Sequence, residues 1–414
     1  MSSEPEQPIA ATASSSNERA SAGRRAALIA VRIAGTLLLA FVLWQVDWRD
    51  AAHLADGETV LRGEIVGEVP ASWDAATRVA FRPADAAPDS EPLVLTAADL
   101  KTEDIRGQQV PIVNEGLLHI VDRANVWLLA LGVFAFGFSS QFGVVRWWLL
   151  LRDQGIRISF WAAHRLTFMG FFFNNVVPGA TGGDLVKAVY AARRTDRRAE
   201  AVITVLIDRV TGIVALALIA AVMLVPRLAS PVYRELALFI FGFLGCFALG
   251  CTLFFSRRVR RVLHVDQIAA KLPFAGLVKQ LDDAVFLYRY KKRGLLVAVL
   301  LSFANQLSIQ MIMVLFAHAL HVTTRAGEPL PIGDYMVVLP AAWMVSALPV
   351  LPGGWGIRES AFAVGFQLVG VGRNAAVALS VMGGMNMVFW SLLGGIYVIL
   401  DRGAVAEASG EPEV

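Results

Sequence analysis

The chain has 414 residues, of which 56% are hydrophobic and only 17% charged, and its mean hydropathy is +0.57. Such a composition excludes an ordinary soluble domain and places the chain in the polytopic membrane class. The formal net charge of +3 gives no ground for a nucleic-acid partner; the distribution of lysine and arginine along the chain is more informative. Cys246 and Cys251 share one apolar segment and offer neither a disulfide framework nor a metal-ligand spacing, and the histidines form no HExxH pattern. No metal or other cofactor is expected.

Residues 1–23 are rich in Ser, Ala, Glu and Pro and read as a disordered cytoplasmic tail. Residues 24–46 form a first transmembrane helix: its apolar run, Ala26 to Val46, is too long for a signal-peptide core, and Arg19, Arg24 and Arg25 hold the N-terminus inside. Residues 47–123 change character. Alternation in ETVLRGEIVGEV, TRVAFRP and EPLVLTAADL marks short strands, and acidic residues outnumber basic ones about two to one. This is a soluble, β-rich extracytoplasmic insertion.

Residues 124–402 form the transmembrane domain, with a disordered tail at 403–414. Its first span, Asn125 to Leu151, ends in Arg146-Trp147-Trp148, read as an aromatic belt at the cytoplasmic headgroup boundary. The next stretch, Trp161 to Arg198, has an apolar arm that stops at Asn174-Asn175. It breaks at Pro178-Gly179-Ala180-Thr181-Gly182-Gly183, then carries Asp184 and Lys187 and turns basic. Neither arm matches the ~20 apolar residues of a full crossing. A broken helical hairpin that enters and leaves on the cytoplasmic side satisfies both arms, and irregular backbone at depth implies that it lines a cavity.

The following span, Ala199 to Val225, is interrupted by Asp208-Arg209. Each charge costs about 2.5–3.5 kcal/mol at mid-depth unless paired or wetted. Adjacent helical residues face different ways, so Arg209 is expected to pair with Asp184 or a bound phosphate, and Asp208 with Lys187. Glu235 to Ser256 returns to a basic run at Arg257, Arg258, Arg260 and Arg261, followed by a surface helix, Leu277 to Tyr290. Leu295 to Leu320 then crosses with Gln306 and Gln310 on one face.

A second broken element, Asp334 to Gly372, repeats the design. Its break runs from Pro349 to Gly356, and Arg358-Glu359 follow. The last span, Ala375 to Leu400, ends inside at Arg402. The expected fold is an all-α polytopic membrane protein of about six full spans plus two re-entrant broken helical hairpins in an inverted arrangement, with a small β-rich periplasmic insertion. Paired interruptions of this kind point to a transporter's central site. Helix N-termini near Gly183 and Gly356, with Lys187, Arg209 and Arg358, suit a phosphate headgroup.

FNNVVPGATGGDLVKAVYAAR, VLIDRVTGIVAL and ALPVLPGGWGIRESAFAVGF with the final LLGGIYVI resemble the lysylphosphatidylglycerol synthase transmembrane region family, also described as flippase-like. The resemblance runs from about Val126 to Asp401. It implies a multi-pass protein of the bacterial inner membrane, with both termini cytoplasmic, that moves a charged or glycosylated phospholipid or polyprenyl-phosphate lipid between leaflets. It places the substrate-binding residues at Asn174, Asn175, Pro178, Gly182, Gly183, Asp184, Lys187, Asp208, Arg209, Pro352, Gly353, Gly354, Gly356, Arg358 and Glu359. The aminoacyl-transferase domain of the full synthase has no counterpart here, so lysyl transfer is not expected. Two other readings stand beside the translocase. One is a non-transporting accessory subunit of an envelope-lipid or glycosyltransferase system. The other is a membrane lipid-phosphate transferase with Asp184 or Glu359 as general base. The expected partner is a membrane lipid; an envelope-lipid enzyme and a second copy of the chain remain open.

Overall fold

The computed structural model describes residues 47–67, 77–87, 90–105, 108–176, 182–193, 195–255, 292–347 and 355–400. The first span, both tails, the surface helix at 277–290 and the breaks holding Pro178, Pro352, Gly353 and Gly354 lie outside these residues.

Five short strands form one antiparallel sheet in the order β4-β3-β2-β1-β7. They are β1 (Asp50–His53), β2 (Val60–Val66), β3 (Arg78–Pro83), β4 (Leu93–Thr96) and β7 (Val113–Asn114). A separate hairpin joins β5 (Thr102–Ile105) to β6 (Gln108–Pro111). The period-2 pattern that marked β2, β3 and β4 turns Ile65, Val79, Phe81 and Leu95 into one small core with Ala52 and Leu100. Asp50 fastens this sheet to the helices. Its buried carboxylate accepts the Ile65 and Gly116 N–H groups, each at 2.6 Å, and lies 3.2 Å from Nδ1 of His119 on α1 (Leu117–Asp122). The hydrogen bond to Asp50, helped by the charges of Asp50 and Glu115 and opposed by burial and by Arg123, raises the His119 pKa above its ordinary 6.5.

Among the described residues, five helices are long and apolar enough to cross a membrane. They are α2 (Val126–Asp153), α5 (Arg198–Leu224), α6 (Arg234–Phe255), α7 (Lys292–Ala319) and α10 (Arg373–Leu400). Between them lie two pairs of shorter helices. The first pair is α3 (Phe160–Val176) with α4 (Gly182–Arg193), and the second is α8 (Ile332–Ser346) with α9 (Ile357–Leu368). At about 1.5 Å per residue these arms measure roughly 18–26 Å, short of a ~30 Å hydrocarbon core. The chain is thus a polytopic all-α membrane protein with a small β-sheet region towards its N-terminal side.

The long helices pack in opposed pairs. α2 and α7 run antiparallel, since the Asn125 N–H meets the Ala319 carbonyl at 2.8 Å and Gly294 abuts Asp153 at the other end. α3 packs on α10 with His164 near Tyr397 and the Phe168 backbone against Gly394. α8 packs on α5, with Arg227 and Asp334 paired at 2.8 Å at one end and Met344 against Leu216 and Ala217 at the other. α4 packs on α5, and α9 on α10. By contrast α6 is largely exposed and touches the bundle through α5 and α8.

Three helices end in the same 6→1 and 5→2 hydrogen-bonded cap. α2 uses Gly155 and α9 uses Gly370 at the left-handed position, whereas α7 uses His321 at φ 52°. A side chain there costs about 1–2 kcal/mol relative to a right-handed conformation, a cost that glycine escapes. His321→Gly should therefore raise stability by about 1 kcal/mol in thermal or denaturant unfolding.

The His119 contact gives a second expectation. Because its native pKa lies above the unfolded value, the contact stabilises fully below about pH 6.5, and the contribution is lost as pH rises through the native pKa. His119→Gln should flatten that part of the Tm-against-pH curve; an unchanged curve means that the Asp50 contact does not set it.

Candidate functional site

A cavity of about 350 Å³ opens among α2, α3, α4, α5, α7, α8 and α10. Five charged side chains line it: Arg146, Asp184, Lys187, Asp208 and Arg209. So do large apolar ones, among them Phe136, Phe171, Leu216, Met313 and Trp343. Asn174, Asn305, Gln306, Ser346 and Asn386 supply neutral polar groups. The cavity is therefore amphipathic, with three cations facing two carboxylates.

Asp208 is the centre of the charge network and is only 8% exposed. Arg146 Nε donates to its Oδ1 at 2.6 Å, and Lys187 Nζ lies 3.4 Å from its Oδ2. Arg146 Nη1 also donates to Ser302 Oγ at 2.8 Å, which joins α7 to the network. The Lys187 ammonium stands 4.4 Å over the Trp147 ring, a desolvated cation–π contact. That ring is fixed by its own N–H, which donates to Thr204 Oγ1 at 3.3 Å. Arg209 pairs with Asp184. Asp208 and Arg209, adjacent in sequence, thus reach separate partners, Asp208 meeting Arg146 on α2 and Lys187 on α4 and Arg209 meeting Asp184 on α4, as their angular offset requires.

Close backbone packing brings α4 to this position. Gly183 leaves no room for a Cβ against the Gly170 carbonyl, so only glycine permits this approach of α4 to α3. Asn174 then closes the turn by accepting the Gly183 N–H at 2.7 Å. This satisfies one of the donors that a helix start leaves unpaired. Asp184 sits in the first turn of α4, where the helix dipole favours an anion. Gly182, beside it, is buried at the helix start.

Other sequence-derived site residues lie elsewhere. Asn175 turns its amide back to the Phe171 carbonyl of its own helix. Arg358 and Glu359 are almost wholly buried and serve one another, with Nη2 2.7 Å from Oε1, beside Ser380. The other Glu359 oxygen accepts the Gly356 N–H, which caps α9. Arg358 packs over Trp355 and reaches towards Trp343, so the Trp343 ring lies between this pair and the cavity it lines. Gly356 borders a separate apolar groove between α6, α8 and α9. Asp184 and Glu359, the two candidates for a general base, are both held in ion pairs. No group of His, Cys, Asp or Glu among the described residues could hold a metal ion.

The sequence reading missed Arg146. It placed Arg146-Trp147-Trp148 at a headgroup boundary, but Arg146 is 7% exposed and Trp147 is fully buried. Arg146 lies two turns inside the end of α2, and the signal that could have identified it is Asp208, a buried anion that needs a strong partner. Of the two glutamines, Gln306 lines the cavity and donates to the Gly212 carbonyl at 3.2 Å, whereas Gln310, about one helical turn on, is fully buried.

Comparison with known proteins adds two findings. The family model described as Lysylphosphatidylglycerol synthase TM region matches residues 114–395, which include α1 and all but the end of α10. The chain is also similar to a UPF0104 membrane protein of Pyrococcus horikoshii. The two are 26% identical over 325 residues, covering 71% of this chain and 93% of that protein. No solved structure matches.

Asp208→Asn should destabilise the protein by about 3–5 kcal/mol, since it leaves Arg146 and Lys187 buried without a counter-charge. Thermal unfolding in detergent measures this. Exchanging Asp184 and Arg209 should restore most of the stability lost in either single charge reversal; a double variant no better than the worse single would show that the pair does not join α4 to α5.

Proposed function

The chain belongs to the lysylphosphatidylglycerol synthase transmembrane region family, and from that premise we propose that it is a lipid translocase. Its substrate is a phospholipid or polyprenyl-phosphate lipid with an anionic or glycosylated headgroup, moved across the bacterial inner membrane. The observation that carries this reading is the inequality of charge in the central cavity. Among the described residues the lining holds Arg146, Lys187 and Arg209 and the carboxylates Asp184 and Asp208, three cations to two anions, in a space otherwise lined largely by apolar side chains. A buried surplus cation is costly. An amphiphile with an anionic head relieves that cost while its tails meet Phe136, Phe171 and Met313, and a free anion would leave that apolar lining exposed to water.

The helix arrangement supports alternating access. Helices of 28, 17, 12 and 27 residues, α2 to α5, are followed after α6 by helices of 28, 15, 12 and 28 residues, α7 to α10. The first arm of each short pair packs on the long helix that follows the other pair, and the second arm on the long helix that follows its own. The matching members α2 and α7 run antiparallel. We read this as an inverted repeat with two re-entrant hairpins entering from opposite faces, the arrangement in which a central site is exposed alternately to each side. With the span at 24–46 it comprises six full crossings, both termini cytoplasmic and the β-rich region outside. The residues that engage the headgroup are Asn174, Asp184, Lys187, Asp208 and Arg209, with Arg146. Arg358 and Glu359 lock the start of α9.

Reconstitution tests the proposal. In liposomes carrying a fluorescent phosphatidylglycerol, the protein should expose inner-leaflet probe to an external quencher faster than protein-free vesicles do. Lys187→Gln should slow this exchange about 10-fold, the effect of losing one charged contact. Exchange no faster than in empty vesicles, or equal in the variant, rejects translocation of an anionic headgroup through this cavity.

A further inference from the structure

A second cavity, also of about 350 Å³, lies where the β-rich region meets the helices, and nothing in the translocation reading uses it. Its walls come from β7 and the turn after it, the end of α1, the loop from α7 to α8 and the start of α10. Its chemistry differs from that of the central cavity. Here each charge of the wall is paired: Arg123 with Glu115 at 2.8 Å, and Arg325 with Glu103, which stands outside the lining. The remaining polar wall is made of amides and hydroxyls, Asn114, Asn374 and Thr324 among them. Amides and hydroxyls both donate and accept, while the paired guanidinium and carboxylate groups offer further donors and acceptors in fixed planes. A site whose charges are already held in pairs, and which is dense in both kinds of group, matches a ligand that carries many hydroxyls.

His321 provides a separate indication. It is solvent-exposed and lines this cavity. It also occupies the left-handed cap position of α7. The corresponding position two residues beyond α2, a helix of the same 28-residue length, is Gly155. Glycine would serve the cap equally well in α7, so the imidazole is retained against the preference of the backbone. Strain of this kind collects at ligand-contacting positions.

We propose that this outer cavity, walled by Asn114, Glu115, Arg123, His321, Arg325 and Asn374, is a saccharide-binding site. The site does not rest on the translocation reading, whose liposome assay reads a different ligand at a different cavity. The sugar is either free or the head of a lipid, and the test separates the two sources.

The full chain in nanodiscs is titrated with the methyl glycosides of glucose, mannose, galactose and N-acetylglucosamine, and binding is read by saturation-transfer NMR. A parallel set of nanodiscs contains glycolipids bearing the same sugars, and inorganic phosphate is the anionic control. Saturation transfer to a methyl glycoside supports a free sugar, and transfer to a glycolipid headgroup alone supports a lipid-borne one. His321→Gly and Arg325→Gln should each weaken the bound sugar about 10-fold. His321→Gly should do so while unfolding at higher temperature, so lost binding cannot be ascribed to a damaged fold. No transfer to any sugar, competition by phosphate alone, or unchanged binding in both variants overturns the proposal.

Discussion

The membrane-embedded half of this structure depends on one buried carboxylate. Asp208 holds Arg146 of α2 and Lys187 of α4, and through Arg146 it reaches Ser302 of α7. Four helices are therefore joined at a point where each member would be costly alone. A buried carboxylate without cations is expensive by several kcal/mol, and so are buried cations without a carboxylate. The network forms as a unit for that reason. It also holds two cations to one carboxylate, the excess on which the proposed anionic headgroup rests.

Backbone proximity is the second requirement. Gly183 lies against the Gly170 carbonyl, and Gly394 against the Phe168 backbone. α3 is thereby held between α4 and α10 at distances that no larger residue allows. The charged side chains of α4 reach Asp208 and Arg209 because this packing sets the position of α4 against α3. Asn174 completes the turn where the chain itself leaves an unpaired donor.

Much of this was legible in the sequence, and the limits have physical causes. The alternation in β2, β3 and β4 and the long apolar runs are local signals, and they marked the sheet and the long helices directly. The pairing of Asp208 and Arg209 with different partners followed from helical geometry and the cost of burying charge. Arg146 was misplaced because an arginine followed by two tryptophans is equally consistent with a headgroup belt, and only the fold brings it to Asp208. Arg358 and Glu359 were expected at the cavity, but adjacent opposite charges at a helix start also satisfy one another, and here they do so behind Trp343. The match to residues 114–395 begins before the expected Val126 and takes in α1, which packs on α10 and is also tied to the sheet through His119 and Asp50.

The helix α6 packs so little that it contributes few contacts of its own. Its place in the chain explains its presence. α5 and α7 both run opposite to α2, so the chain must travel back once between them, and α6 is that return stroke. On the inverted-repeat reading proposed above, what α6 supplies is parity: without a single reversal at this point the second half would repeat the first in the same sense. An element of this kind answers to length and oiliness alone, and it leaves the geometry of the two halves to be decided where they meet.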